Sequence, residues 1–368
     1  PDVGTFMREW LSLYDSKSGE RGIYNGLSAQ RTVEGLNGRY LGEDGNHVRR
    51  RIARDDFGTN PCSEIILRSR EFCNLSECVV RRDDTREHLK EKVRVATILG
   101  TFQSTLTEFK YLSREWKKNC EEERLLGVSL TGIMDNPLTN GSKKGLDKLL
   151  EELRDVAYET NKEWAEKLGI PPSAAITCVK PSGTVSQLVD SASGIHARHN
   201  PFYIRTVRAD NKDPLCNLMK DMGFPNEPDV TKPDHTTVFS FPMKSPKDAV
   251  FRMDMTALEQ LELWKTYATS WCEHKPSVTI SVKEDEWVDV AAWVYENFDS
   301  ISGISFLPFS EHVYRQAPYQ DCTKEEYEEA LKTMPKNVDW AELSKYESQD
   351  YTISSQELAC TAGGCEVI

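Results

Sequence analysis

Three side chains that could do chemistry together lie in the segment Asn60-Pro61-Cys62-Ser63-Glu64, where an amide, a thiol and a carboxylate are spaced two positions apart. In an extended loop, side chains two residues apart point to the same side, so these three would face one space. A cysteine between a hydrogen-bonding amide and a potential general base is a candidate reaction centre. A surface turn with a buried, inert thiol would give the same pattern, because most cysteines are buried and unreactive.

A second candidate site follows the short apolar run Ser173 to Val179, which predicts a buried strand. An expected helix from Val185 would direct backbone N–H groups toward an anion at its beginning. Glycine there allows close backbone approach, and hydroxyls can donate hydrogen bonds without adding charge. Simple helix capping is the alternative. The candidate phosphate-binding residues are Pro181, Ser182, Gly183, Thr184, Val185 and Ser186.

A third pair of chemically active residues is Cys360 and Cys365, a C-x4-C arrangement that includes Gly363-Gly364. The glycines would let the two sulfurs meet, and a dithiol on a mobile tail can exchange with other thiols. The polar segment 347–368 is predicted to be that tail. An incidental pair and half of a zinc site are the alternatives, although the neighbouring tail offers no histidine or third cysteine.

Composition narrows the class of protein. The 368 residues carry a formal net charge of −13, which argues against broad binding to nucleic acid or anionic membranes. No apolar run is long enough to span a membrane and no signal-peptide pattern is present, so we expect a cytoplasmic enzyme. In that compartment the ten cysteines are thiols, metal ligands or catalytic pairs.

Hydrophobic periodicity predicts alternating helices and strands, which favours an α/β fold with parallel strands. The stretch 211–235 is rich in proline and is predicted to be loop. Thr323 and Glu326 form a capping-box pattern before a helix. The expected helices are 86–109, 143–168, 255–272, 285–297 and 324–334, and the further expected strands are 236–241, 277–282 and 301–307.

Five segments along the chain carry a resemblance to a known family. They are 60–64 with Cys73-Asn74-Leu75, 122–128 with Thr131-Gly132, 180–186, 303–308 and 316–320. Taken in this order, they resemble the ribonucleotide reductases. Adenosylcobalamin-dependent (class II) ribonucleoside-triphosphate reductases of the monomeric kind are the most similar, especially through Ser182 to His196 and the carboxy-terminal cysteine pair.

The resemblance implies a ten-stranded α/β barrel, of which residues 1–346 would supply the second half. It places a finger loop near 60–75, a phosphate turn at 180–186 and a redox-active tail at 347–368. Because the sequence begins at Pro1 and not at methionine, we expect a fragment. The first half of the barrel, most of the allosteric region and the cysteine partner of Cys73 would lie upstream.

The resemblance also implies a role for each candidate residue. Cys62 would carry a thiyl radical that abstracts the ribose C3′ hydrogen, because the S–H and C3′–H bonds are close in strength. Glu64 would take the 3′-hydroxyl proton, and Asn60 would bind a ribose oxygen. Cys73 and its partner would supply two electrons. Cys360 and Cys365 would re-reduce that pair and exchange with a thioredoxin-like reductant.

The radical source distinguishes the reductase classes. None of the 13 tyrosines is adjacent to another, and the tail has neither a glycyl-radical motif nor a cysteine-rich zinc module. Adenosylcobalamin remains, and it would contact loops within Cys216 to His274 and Gln316 to Tyr351. The substrate expected from the resemblance is a ribonucleoside triphosphate.

Two rival interpretations stay open at this point. The chain could be a non-catalytic remnant or a split-gene subunit that needs an amino-terminal partner. It could instead be a zinc or redox-sensor protein that uses Cys73 with Cys78 and the tail pair, although Cys78 itself is not assigned as the partner of Cys73. The cysteines interpreted as structural are Cys120, Cys178, Cys216, Cys272 and Cys322.

Overall fold

The computed structural model describes residues 1–19, 21–42, 44–309, 315–347, 359–361 and 364–366. The helices within these ranges are α1 (Val3–Ser16), α2 (Gly26–Asn37), α3 (Arg86–Gln103), α4 (Arg114–Glu123), α5 (Leu146–Leu168), α6 (Gly183–Leu188), α7 (Pro214–Asp221), α8 (Ala257–Ser270), α9 (Trp287–Glu296), α10 (Lys324–Thr333) and α11 (Leu343–Tyr346). The strands are β1 (Gly22–Tyr24), β2 (Gly58–Thr59), β3 (Ile66–Leu67), β4 (Asn74–Val79), β5 (Leu126–Thr131), β6 (Thr177–Cys178), β7 (Phe202–Asp210), β8 (Asn226–Pro228), β9 (Thr236–Lys244), β10 (Thr279–Val282), β11 (Gly303–Pro308), β12 (Tyr319–Asp321), β13 (Ala359–Thr361) and β14 (Gly364–Glu366).

The chain divides into two compact units, 1–197 with 248–308 and 198–247 with 309–368. This division differs from the single body predicted for residues 1–346. The chain leaves the first unit after Ala197 and re-enters it at Asp248. Within the part of the chain that the structure describes, no helix is long and apolar enough to cross a membrane.

The first unit contains the parallel strands. Strands β4, β5 and β6 form a parallel sheet, and β10 pairs in parallel with β11, whose other edge holds β1 in the antiparallel direction. Strand β5 is buried along its whole length, as expected for a parallel strand covered on both faces. Helix α3 packs on β4 and α5, and α8 packs on α5, α9 and β10. These layers share one core that includes Trp264, Tyr267 and Trp271.

The second unit is built on an antiparallel sheet in the order β12-β7-β9-β8. Helix α10 packs on β7 and β9, and α7 contacts α11. A small core of Cys216, Phe224 and Phe239 fills the space beneath the sheet. Asp213 caps α7 by accepting a hydrogen bond from the Leu215 backbone N–H at 2.8 Å.

Most of the predicted elements are present with shorter bounds. The capping box of Thr323 and Glu326 before α10 is confirmed. The stretch 211–235, predicted to be a loop-rich excursion, contains α7 and β8, with irregular structure between them. The strand predicted for Ser173 to Val179 is reduced to β6, although the carbonyl oxygens of Ala175 and Ile176 also accept hydrogen bonds from β5. Parallel pairing is confirmed in the first unit, whereas the sheet of the second unit is antiparallel.

Candidate active site

A tight turn presents the Cys62 thiol. Strands β2 and β3 pair in antiparallel fashion, with Thr59 opposite Ile66, and residues 60–65 connect them. The Ser63 backbone N–H donates to the Asn60 carbonyl oxygen at 2.9 Å, closing a β-turn with Pro61 at its second position. Proline favours that position because its φ is fixed near the required value. Cys62 occupies the third position and is exposed.

The amide of Asn60 stabilises this turn. Its Oδ1 accepts a hydrogen bond from the Ile65 backbone N–H at 3.0 Å. The segment is therefore a turn and not the extended loop expected from the sequence. The Asn60 side-chain oxygen faces its own loop, which leaves the NH2 group as the part of this side chain that can donate to a ligand.

Glu64 is buried at the base of the turn. Ser63, immediately before it, adopts a left-handed conformation with φ 65°, and the Glu64 side chain has no exposed surface. Neither carboxylate oxygen has a hydrogen-bond partner among the described residues. Leaving a buried carboxylate without hydrogen bonds is costly, so this group is either held for a function or stabilised by a nearby charge.

Lys180 supplies that charge. Its Nζ lies 3.6 Å from Glu64 Oε1 and donates to Cys62 Sγ over 3.9 Å. Burial alone would lower the pKa of Lys180, but the Glu64 carboxylate and the Cys62 sulfur outweigh this effect and raise it. Lys180 directly precedes the candidate phosphate-binding residues, so its side chain contacts Cys62 from the position next to them. That Cys62 and this turn bind one nucleotide stays a prediction.

A second lysine contacts the loop from the segment that precedes β10. The Lys275 backbone N–H donates to the Glu64 carbonyl oxygen at 3.2 Å, and its ammonium donates to Ser63 Oγ at 2.8 Å. Burial lowers the pKa of Lys275 to about 8, against the attraction of the Glu64 carboxylate. A side-chain carbon at Gly303 on β11 would collide with the Lys275 ammonium and lie 3.1 Å from Ser63 Oγ.

His274 fixes the other end of the finger loop. Its Nδ1 accepts a hydrogen bond from the Ile66 backbone N–H at 3.3 Å, and its Nε2 lies 2.9 Å from the Leu126 carbonyl oxygen. A neutral ring protonated on Nε2 satisfies both contacts. Burial, reinforced by the Arg51 and Arg50 guanidinium groups, lowers the pKa of His274 to about 3. The imidazole thus links β3 to β5 as an uncharged group.

Cys73 lies just before β4 and is half-buried. Burial raises the pKa of its thiol to about 12, and the Glu64 and Glu71 carboxylates add to the effect. The Cys73 thiol therefore stays protonated at neutral pH. Cys78, five residues later, is buried, and its Sγ donates to the Lys92 carbonyl oxygen at 3.5 Å. Cys78 packs in a different core cluster from Cys73.

The predicted phosphate turn coincides with the beginning of α6. Ser182 is the residue before the helix and has φ 60°, and its side chain is buried. Gly183 is exposed and would accommodate a side chain without contact, so its backbone is open to a ligand. The Ser186 hydroxyl is buried and already donates to the Gly183 carbonyl oxygen at 2.8 Å, which makes it the weakest of the predicted phosphate donors. The Thr184 side chain lies outside the described residues.

The tail cysteines lie in paired strands. Cys360 on β13 is directly opposite Cys365 on β14 in antiparallel register. The rest of the predicted tail, apart from Glu347, lies outside the described residues. Among the residues that the structure describes, no group of three or more histidine, cysteine, aspartate or glutamate side chains is placed to hold a metal ion.

The ranges predicted to contact adenosylcobalamin are mostly regular structure and not loops. Cys216 to His274 contains most of α7 together with β8, β9 and α8, and Cys216 is itself a core residue. The exposed thiol of Cys62 does fit a cofactor that must approach the sulfur from outside.

The sequence therefore identified Asn60, Cys62 and Glu64 as a group but missed the roles of three neighbours. The finger loop is contacted by three side chains, those of Lys180, Lys275 and His274. Each lies more than a hundred positions from the loop in the sequence. The only sequence signal was the repeated Lys-Pro-Ser in 180–182 and 275–277. The two copies pair in space, since the Ser277 N–H donates to the Val179 carbonyl oxygen at 2.8 Å.

Comparisons with known proteins identify relatives of this chain. No family model matches the chain. The adenosylcobalamin-dependent ribonucleoside-triphosphate reductase of Euglena gracilis is 31% identical over 287 residues, which cover 77% of this chain and 38% of that protein. The enzyme of the same name from Lactobacillus gasseri is 27% identical over 341 residues, covering 84% and 45%. The crystal structure of a B12-dependent (class II) ribonucleotide reductase superposes with a TM-score of 0.73 and 24% identity, covering 94% of this chain and 50% of that one.

The fold is thus that of a ribonucleotide reductase catalytic chain, with the thiol turn and its carboxylate in one unit. The predicted resemblance is confirmed, and the chain is a homologue of the adenosylcobalamin-dependent ribonucleoside-triphosphate reductases. It spans about half the length of the curated relatives that it matches. The closed ten-stranded barrel stays a prediction, because the described parallel strands fall into separate sheets.

Proposed function

We propose that the protein reduces ribonucleotides, most specifically ribonucleoside triphosphates, to 2′-deoxyribonucleotides. The observation that carries the proposal is the turn that exposes Cys62 directly above the buried Glu64 carboxylate. The relatives named above perform this reaction according to their names.

The chemistry follows from what each side chain can exchange. A thiyl radical on Cys62 takes the C3′ hydrogen of the ribose, forming an S–H bond and leaving a carbon radical. Glu64, with both oxygens free of hydrogen bonds, accepts the 3′-hydroxyl proton. The 2′-hydroxyl then leaves as water after taking a proton from a thiol. The Asn60 NH2 group is the donor for a ribose oxygen.

Two electrons must enter the sugar before the hydrogen returns from Cys62 to C3′. Cys73 and a partner cysteine supply them as their thiols become a disulfide. The protonated state of the Cys73 thiol suits this role, because the thiol must deliver protons as well as electrons. We propose that the partner lies outside this sequence, since Cys78 is committed to the core.

Adenosylcobalamin is the proposed cofactor, and when bound it would supply the radical that Cys62 carries. The exposure of Cys62 is compatible with approach from outside the chain. We propose a thioredoxin-like protein as the source of electrons, delivered through Cys360 and Cys365. A centre that works with free thiols needs a reducing compartment, which favours the cytoplasm.

The test is dNTP formation by the full-length enzyme with adenosylcobalamin, a ribonucleoside triphosphate and dithiothreitol. Cys62→Ser should abolish turnover, because an O–H bond is too strong to be formed and broken reversibly in the radical step. Cys120→Ser is the matched control, since Cys120 is buried away from the turn. Product formation by Cys62→Ser above background would disprove the thiyl assignment.

A split enzyme is the second candidate, and the half-length match to the relatives favours it. In that case the present chain alone should be inactive and should gain activity when mixed with a chain that carries the other half. Activity of the present chain alone would exclude this arrangement.

A further inference from the structure

Lys180 contacts the two reacting groups at once, and the reaction steps given above assign it no role. Its ammonium lies 3.6 Å from Glu64 Oε1 and 3.9 Å from Cys62 Sγ. About 31% of the Lys180 side chain is exposed, while the Glu64 side chain is fully buried. A half-buried cation beside a fully buried anion interacts more strongly than a surface pair, because less water screens it.

The backbone of Lys180 is held from two sides. Its N–H donates to Ser129 Oγ on β5 at 2.8 Å. A side-chain carbon at Gly194, which has φ 56°, would collide with the Lys180 carbonyl oxygen, so the two backbones pack closely there. Because the main chain is fixed, the ammonium can reach the finger loop without ordering a flexible segment.

Lys275 has a different contact and does not duplicate this one. Its ammonium donates to the Ser63 hydroxyl at 2.8 Å and interacts with the Glu64 carboxylate only at longer range. The Cys73 and Cys178 thiols also interact with Glu64, and both are protonated at neutral pH because burial raises their pKa values. Of these two thiols and the two lysines, Lys180 is the group that forms an ion pair with the carboxylate within 4.0 Å.

We propose that Lys180 is a positioning residue of the reaction centre, which orients the Glu64 carboxylate and keeps it beside the Cys62 thiol. This inference rests on the proposed function. A general base must face the proton that it accepts, and a nearby cation can fix the direction of a buried carboxylate. The ammonium lies 3.6 Å from Oε1, so neither carboxylate oxygen has a close donor and both can receive the 3′-hydroxyl proton.

The competing role for Lys180 is to bind substrate phosphate, because it directly precedes the candidate phosphate turn. The two roles predict different kinetics. Loss of a phosphate contact raises KM and leaves kcat unchanged, whereas loss of a base-positioning group lowers kcat and changes the pH profile.

The experiment compares Lys180→Met and Lys180→Arg with wild-type full-length enzyme, using dNTP formation from a ribonucleoside triphosphate between pH 5 and 9. Lys180→Met should lower kcat by about tenfold or more, with KM changed by less than about threefold. The pH profile of Lys180→Met should also differ from that of wild type, because the charge that faces the Glu64 carboxylate is gone. Lys180→Arg, which keeps the charge, should retain most of the wild-type profile.

Lys92→Met is the matched control. Lys92 is exposed to a similar extent, 35%, and forms an ion pair with Asp84 at 2.5 Å on another face of the unit. The Lys92→Met variant should show how far the loss of a half-buried lysine alone lowers kcat. Its pH profile should match that of wild type. A raised KM with unchanged kcat in Lys180→Met would overturn the proposal in favour of phosphate binding, and an unchanged profile would overturn it outright.

A second measurement needs no turnover and so separates this proposal from the proposed function. The rate at which iodoacetamide alkylates Cys62 at pH 7.5, followed by peptide mass spectrometry, should change several-fold in Lys180→Met, because the ammonium contact to the Cys62 sulfur is lost. An unchanged rate would count against the contact. If wild-type enzyme forms no dNTP, the proposed function fails, but this rate still reports on Lys180.

Discussion

At the scale of single residues, one turn produces two opposite environments within three positions. Cys62 is exposed at the turn, while Glu64 is fully buried beneath it. The left-handed conformation of Ser63 reverses the direction of the chain between them. Non-glycine residues adopt this conformation rarely and at a cost. The Lys275 contact to the Ser63 hydroxyl helps to offset that cost.

The buried carboxylate gives a prediction about rate. Glu64→Gln removes the proton acceptor but keeps the size of the side chain. Turnover of the full-length enzyme should fall by ~10²–10⁴-fold while nucleotide still binds. The measurement is kcat together with nucleotide affinity by equilibrium dialysis. A change in affinity without a loss of kcat would show that Glu64 binds substrate and does not act as a base.

The two candidate redox and radical thiols should differ in reactivity. At pH 8 a thiol with a pKa of about 12, such as Cys73, is a thiolate in only about one molecule in ten thousand. Cys62 is exposed and beside an ammonium group. Iodoacetamide should therefore modify Cys62 long before Cys73, as measured by peptide mass spectrometry over time. Equal rates at the two cysteines in folded protein would contradict this assignment.

At the scale of elements, the finger loop depends on contacts from β5, β11 and the segment between α8 and β10. Helix periodicity and capping patterns predicted α3, α5, α8, α9 and α10 because those signals are local. The supports of the loop could not be predicted, because Lys180, Lys275 and His274 reach it through the tertiary fold. A sequence pattern identifies a reactive group more readily than the residues that hold it.

His274 makes the link between β3 and β5 sensitive to acid. Its pKa is about 3 in the folded protein and about 6.5 in the unfolded chain, so the unfolded chain binds more protons between these values. The stability due to neutral His274 is complete above pH 6.5 and is lost as the pH falls. At pH 5 the loss should be about 2 kcal/mol.

His274→Gln keeps one acceptor and one donor but does not titrate. The wild-type protein should lose more stability between pH 7 and pH 5 than this variant, measured by urea unfolding followed through tryptophan fluorescence. His235→Gln is the control, because His235 is exposed. Parallel loss of stability in wild type and His274→Gln would refute the linkage.

Gly303 on β11 tests how closely the loop is supported. In Gly303→Ala the new methyl group would occupy the space of the Lys275 ammonium. Displacing this buried side chain should cost about 1–3 kcal/mol and lower turnover by disturbing Ser63. Gly35→Ala is the control, since no atom lies within 4 Å of the new carbon and α2 should gain about 0.5–1 kcal/mol. Equal stability of the two variants by thermal unfolding would show that the space at Gly303 is not required.

At the scale of the whole molecule, the division into two units was not visible in the sequence. The chain crosses between them after Ala197, at Asp248 and after Pro308, and no low-complexity segment marks these points in the sequence. The antiparallel sheet of the second unit was also missed, because β7 and β8 lie in segments that no strand was predicted to occupy. The order of motifs along the chain predicted the family, whereas the direction of strands depends on pairing partners that are distant in sequence.

The tail pair yields a prediction about catalytic cycles. Cys360 and Cys365 are opposed on β13 and β14, and opposed residues of antiparallel strands have Cα atoms about 4.5–5.5 Å apart, a range that a disulfide can span. If the pair only re-reduces Cys73 and its partner, Cys360→Ser with Cys365→Ser should leave the first turnover of prereduced full-length enzyme intact. Repeated turnover with thioredoxin should stop, and dithiothreitol should restore part of the rate.

Cys73→Ser is the comparison variant for this prediction. Its electrons enter the chemical step itself, so neither thioredoxin nor dithiothreitol should rescue it, and the first turnover should fail as well. Single-turnover and steady-state dNTP formation, measured on the same preparations, distinguish the two behaviours. Normal cycling of the tail double variant with thioredoxin would show that the opposed cysteines of β13 and β14 are incidental to the reaction.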